Sequence, residues 1–132
     1  MADMKSLRAA LNSMGSDLFI AIDIPFEETS ELQRQLLGAF AFGMSFAIGQ
    51  IEKLTPPEVH ALAIALLMDA FRYSDHQATA FAHDLIESAS GRGNSTTRAV
   101  IHRGIDGHRQ WNSGDHAGLR DNIESIFSAL GA

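Results

Sequence analysis

The chain has no cysteine, so disulfides and thiolate metal sites are excluded and a reducing compartment fits. It also lacks an apolar run long enough to cross a bilayer. The longest, Leu36 to Ile51, is broken by Ser45 and Gln50 and falls short of the roughly 20 residues a spanning helix needs. The opening MADMKSLRAALNSMG places Asp3, Lys5 and Arg8 where a signal peptide would carry an uninterrupted apolar core. A cytoplasmic protein is therefore expected. Basic residues are missing between Arg8 and Arg34, although Asp17, Asp23, Glu27, Glu28 and Glu31 all fall there. With a formal net charge of −6, such a surface repels phosphates and anionic lipids, so neither nucleic acid nor membrane is an expected partner. A basic protein partner suits these acids, and so does plain solubility. Signatures of chemistry are absent as well. There is no HExxH and no GxSxG, and Gly91-Arg92-Gly93-Asn94 lacks the rest of a phosphate-cradling fingerprint.

What the chain does have is helical spacing. Its 132 residues are 45% hydrophobic and 20% charged, enough for one globular domain over residues 1–132 with a core that needs no staples. Met4, Leu7, Leu11, Met14 and Leu18 form one stripe and predict a first helix over Met4–Leu18. From Phe19 to Phe26, Ile20, Ile22 and Ile24 alternate with Ala21 and Asp23, which predicts a short extended piece ending at Pro25. A second helix is predicted from near Thr29 to Lys53. It is apolar on every side between Leu36 and Ile48, as a central, fully packed helix would be. Gly38, Gly43 and Gly49 within it each cost about 1 kcal/mol relative to Ala, which points to close packing of a neighbouring backbone, or to a glycine-lined dimer contact.

Thr55-Pro56-Pro57-Glu58 combines a hydroxyl cap, proline in the first turn and a glutamate at the capping-box position, opening a third helix. Ser74 with Gln77 opens a fourth, which Gly91 stops. A fifth, capped by Ser95, runs to Trp111, and a last one from Asp115 to Leu130 ends at Gly131. Short connections then predict an all-α, compact bundle of about six helices, mostly antiparallel neighbours.

The stretch His102-Arg103-Gly104-Ile105-Asp106-Gly107-His108-Arg109-Gln110-Trp111 concentrates the unusual residues. On a helix, Arg98, His102, Asp106 and Arg109 share one side, where Asp106 can meet His102, Arg103 or Arg109. Val100, Gly104, Gly107 and Trp111 share another, a shallow small-residue groove with an aromatic at its end. As a metal site, His102 and Asp106 would need a third ligand such as His108 or His116, and His108, six residues from His102, falls on a different helix face. As an acid, Asp106 beside arginines stays ionised and donates poorly. Tryptophan and arginine beside glycine suit a recognition surface, and equally a salt-bridged helix with its tryptophan packed on a neighbour. Asp69, set in ALAIALLMDAF, reads as a carboxylate paired with Arg72 one turn on or with a neighbouring helix end, or as a functional acid. His60, His76 and His83 have no ligand spacing.

Two segments carry a resemblance. LTPPEVHALAIALLMDAFRYSDHQATAFAHDLI (Leu54–Ile86) and AVIHRGIDGHRQWNSGDHAGL (Ala99–Leu119) resemble a small all-helical family of bacterial immunity proteins. That family belongs to polymorphic toxin systems with contact-dependent or type VI delivery, and the likeness extends from about Phe40 to Leu130. It implies a stoichiometric inhibitor of a cognate toxin encoded by an adjacent gene, with no cofactor, metal or catalysis of its own. The contact surface would draw on Asp23, Glu27, Glu28 and Glu31, on His102, Arg103, Asp106, His108, Arg109 and Trp111, or on both sets. Two alternatives stand beside it. One is a small hydrolase that reverses a toxin's modification through Asp69, Asp106 and the histidines, and the other is a ligand-binding helical regulator. A homodimer is compatible with all three.

Overall fold

Each helix begins where a short polar side chain satisfies N–H groups that the first turn leaves free. In the computed structural model, which describes residues 3–132, six helices follow one another. They are α1 (Met4–Ile22), α2 (Glu31–Ile51), α3 (Pro56–Asp69), α4 (Asp75–Ala89), α5 (Ser95–Asn112) and α6 (His116–Leu130). Their caps are Asp3, Ser30, Thr55, Ser74, Asn94 and Asp115. The boxes expected at Thr55/Glu58 and Ser74/Gln77 form with both reciprocal hydrogen bonds, and Ser30 with Gln33 makes a third. At α5 the cap is Asn94 rather than Ser95, because the Asn94 side-chain oxygen accepts the Thr97 N–H at 3.0 Å. No strand occurs among the described residues.

The expected extended piece after Leu18 is helix. α1 continues to Ile22, and the chain then turns through Asp23, whose left-handed φ of 57° is the cap. Pro25 explains why it stops, since it disfavours helical backbone at Ile24 and brings no N–H of its own. The alternating isoleucines do not share a face: Ile20 is 75% exposed and Ile22 4%. The buried stripe instead runs Leu11, Met14, Leu18 and Ile22, with Phe19 beside it. Phe19 packs at 5.5 Å from both Phe26 and Phe71, and the contact with Phe26 brings a 3-10 turn (Phe26–Glu28) back onto α1. Helical packing of large aromatics outweighs a period-two pattern that lasts only three residues.

α2 is the hub, contacting α1, α3, α5 and α6, and every residue from Leu37 to Ser45 is buried. Its most extensive partner is α5, which crosses it antiparallel at Gly43 and Gly104. A Cβ on Gly43 would collide with the Ile101 carbonyl, and one on Gly104 with the Phe40 carbonyl. The two backbones therefore touch, and neither glycine can carry a side chain. Gly107 accommodates the Phe40 ring in the same way. Gly38 and Gly49 face the Phe81 ring and Val59, so the glycines of α2 are used up in intramolecular packing. Dispersion across so close a crossing offsets the helix-propensity cost of about 1 kcal/mol per glycine. No helix among the described residues is long and apolar enough to cross a membrane.

Candidate partner-binding surfaces

The acids from Asp23 to Glu31 surround the turn from α1 into α2, and half of them are already engaged. Glu27 accepts a hydrogen bond from Arg72 at 3.1 Å. A backbone hydrogen bond and then the Arg72 guanidinium hold the Glu27 carboxyl below the usual range. Glu31 accepts from Arg34 at 3.0 Å, from Gln35 at 3.3 Å and from the Tyr73 hydroxyl at 3.4 Å. The Arg34 hydrogen bond is the largest of the effects that lower the Glu31 carboxyl. Burial, reinforced by that carboxylate, pushes the Tyr73 phenol up to about 12. Arg34 and Arg72 also lie 5.5 and 4.1 Å from the centre of the Phe26 ring. The expected acidic strip is thus a cluster of mixed charge. Asp23 and Glu28 are exposed and enter no ion pair among the described residues.

Asp69 also finds a partner other than Arg72. Arg8, on α1, grips it with two hydrogen bonds of 2.8 and 2.9 Å. Arg72 lies past the end of α3 in left-handed backbone (φ 60°), which turns it away to Glu27. The Arg8 hydrogen bond keeps the Asp69 carboxyl below its ordinary range. Asp69 therefore stays ionised and fastens α1 to α3, and it is no proton donor.

On α5, His102, Asp106 and Arg109 are exposed on one side, as the spacing required. The expected ladder does not form, for Asp106 enters no ion pair among the described residues. Arg103 reaches instead to α6, donating from Nε to Asn122 Oδ1 and from Nη2 to Ser125 Oγ, both at 2.7 Å. Asn122, 8% exposed, donates in return to the Arg103 carbonyl at 3.2 Å and to Gln110 Oε1 at 3.1 Å. Trp111 Nε1 donates to Asp17 Oδ2 at 2.9 Å and so ties α5 to α1. His108 is 8% exposed, with its ring 6.1 Å from Trp111, and burial lowers its pKa below the ordinary histidine value. The reason is the crossing. With Gly104 and Gly107 seated on α2, their neighbour His108 turns inward. The shallow groove expected along Gly104 and Gly107 is filled by α2, Arg103 and Trp111 serve as joints to α6 and α1, and His108 is buried.

A concave surface does lie on the other flank of the crossing. A groove of about 490 Å³ runs between the C-terminal half of α2, the start of α3, the end of α4 and α5. Phe46 and Ile105 stand at it, 38% and 36% exposed, together with Lys53, His60 and His102. His60 Nε2 is out of solvent and has no hydrogen-bond partner. Of the residues expected to contact a toxin, His102 reaches this groove. Phe46 was hidden by the all-round apolarity of α2, which suggested complete burial. A second groove, about 620 Å³, follows α4 and is lined by Glu31, Asp84 and Glu87 among other residues. No group of three or more histidines or carboxylates among the described residues is placed to hold a metal ion.

No curated protein and no solved structure matches this chain. The family model described as immunity protein 48 does, over residues 8–131. That span includes all of α2 to α6, the glycine crossing and both grooves. It reaches well before Phe40, where the likeness visible in the sequence began. The helical bundle and the family match agree: this chain belongs to the immunity protein 48 family.

Proposed function

We propose that the chain binds a cognate bacterial toxin domain and neutralises it stoichiometrically, without chemistry of its own. The observation that carries this reading is the family match over residues 8–131. The physics of the fold supports it. A bundle whose central helices touch backbone to backbone offers a rigid face, and rigidity reduces the ordering cost of association. The ionised, arginine-bound Asp69 and the buried His108 are poor candidates for turnover. The toxin would be encoded by an adjacent gene, delivered by a contact-dependent or type VI route and met in the cytoplasm. His102, Asp106 and Arg109 on α5, with Asp23 and Glu28 at the α1–α2 turn, are the exposed candidates left for contact. Arg103 and Trp111 are engaged with α6 and α1, and His108 is buried.

The test begins with a tagged pull-down from the native host to identify the toxin. Its activity is then titrated with the purified chain. Complete inhibition at an equimolar ratio is the expected result. Neutralisation of many toxin molecules by one chain would replace the inhibitor with an enzyme that reverses the toxin's modification.

A further inference from the structure

We propose that the toxin docks in the groove between α2, the start of α3 and α5, inserting one large apolar side chain flanked by a carboxylate. This rests on the inhibitor reading above and adds the place and the chemistry of contact. Phe46 and Ile105 give the groove two partly exposed apolar edges, one from each of the crossing helices. Between them there is about 490 Å³ to fill, room for an aromatic or long aliphatic anchor and its neighbours on one turn of an amphipathic helix.

Charge identifies the flanking group. Lys53 is the one charged residue that lines the groove, beside the imidazoles of His60 and His102, and no carboxylate lines it, although the chain as a whole carries a net charge of −6. An acidic residue of a partner is accepted here and repelled over most of the remaining surface, which fixes where and in what orientation the partner lands. The His60 ring lines the same groove, and its Nε2, out of solvent and without a partner, adds no competing hydrogen bond there. His102 joins this groove to Asp106 and Arg109, so the outer side of α5 becomes its polar rim.

Calorimetric titration of the purified toxin domain against full-length variants tests the proposal. Ile105→Glu is expected to weaken binding about a hundredfold, as loss of a central anchor does. Lys53→Glu should weaken it about tenfold, with a smaller loss at high salt. Ile20→Glu, on an exposed side chain away from this groove, should bind like the wild type. Ile105→Glu and Lys53→Glu proteins that keep their helical spectrum and bind with wild-type affinity would overturn the groove. So would a lipid-like amphiphile retained in native mass spectra of a chain whose toxin binding ignores both substitutions. If Ile105→Glu fails to fold, Lys53→Glu at the exposed end of α2 decides alone. A wild-type chain that does not bind the toxin removes the groove and the inhibitor reading together. A wild-type chain that binds, alongside groove variants that also bind, removes the groove only.

Discussion

Gly104→Ala isolates what the α2–α5 crossing contributes. The added Cβ would meet the Phe40 carbonyl carbon at 2.9 Å and Gly43 Cα at 3.1 Å, and it collides with the Phe40 oxygen. These are backbone atoms in the stretch of α2 that is buried throughout, so no rotamer change relieves them. α5 must retreat by about 1 Å, which forfeits a quarter to a half of each dispersion contact in the seam. Over some 80 atom pairs at roughly 0.05 kcal/mol each, the loss is about 4 kcal/mol. Alanine returns about 1 kcal/mol in helix propensity. The net cost is therefore about 3 kcal/mol, or a melting point lower by roughly 10 °C for a domain of this size. Gly38→Ala is the matched control. Its Cβ meets only the tip of the Phe81 ring, at 2.8 and 3.1 Å, and that half-buried ring can swing aside. It should stay within about 1 kcal/mol of wild type. Thermal and urea unfolding followed by circular dichroism measure both. A Gly104→Ala protein that melts with the wild type, or a Gly38→Ala protein that falls equally far, would refute backbone contact as the source of the effect.

Other joints can be probed in the same way. Asn122→Ala should cost about 2 kcal/mol in urea unfolding, because it removes the acceptor of Arg103 Nε and the amide that donates to the Arg103 carbonyl and to Gln110 at the α5–α6 joint. Trp111→Phe removes the donor to Asp17 and should cost about 1 kcal/mol, whereas Asp17→Ala should alter the emission of the chain's single tryptophan. His108, whose pKa burial depresses, binds its proton more readily unfolded than folded. Its contribution is complete above the ordinary value of 6.5 and declines as pH falls through that value towards the folded pKa, so His108→Gln should flatten the melting point between pH 7 and about 5. Asp69, Glu31 and Glu87, held below their ordinary range chiefly by arginines, and Glu27, held there by a backbone hydrogen bond and then Arg72, contribute above their unfolded values and lose that contribution as pH drops further. A melting point that rises on acidification below pH 5 would contradict these pairings.

Local chemistry was legible in the sequence, and partnerships across the fold mostly were not. The capping boxes at Thr55 and Ser74 and the stop at Gly131 act within one turn, so composition and spacing reveal them. The family likeness was visible for the same reason, in contiguous segments. The end of α1 was misjudged because three alternating isoleucines outlined a strand, while the contacts that decide the matter, Phe71 and Phe26 on Phe19, are made after the chain turns back. Asp69 illustrates the general difficulty. Arg72 stood one turn away and Arg8 stood 61 residues away, and geometry selected the distant one. On α5 the helical faces were sorted correctly, but periodicity does not reveal that Gly104 and Gly107 mark the side a neighbour occupies. The face expected to recognise a partner therefore divided into exposed residues and internal joints. The orphaned nitrogen of His60 has no sequence signal at all.

The glycine crossing also governs how long the folded chain lasts. Gly43 and Gly104 are about 60 residues apart, and closing a free loop of that length costs roughly 3–4 kcal/mol of chain entropy. The α3–α4 and α4–α5 contacts join sequence neighbours and can form first, shortening the loop before the backbones meet. Contact between α2 and α5 is then expected to form late on the way in and break early on the way out. Stopped-flow unfolding and refolding of Gly104→Ala should therefore show faster unfolding with a nearly unchanged folding rate. A protector that is only useful while it persists has its lifetime set at two residues that carry no side chain.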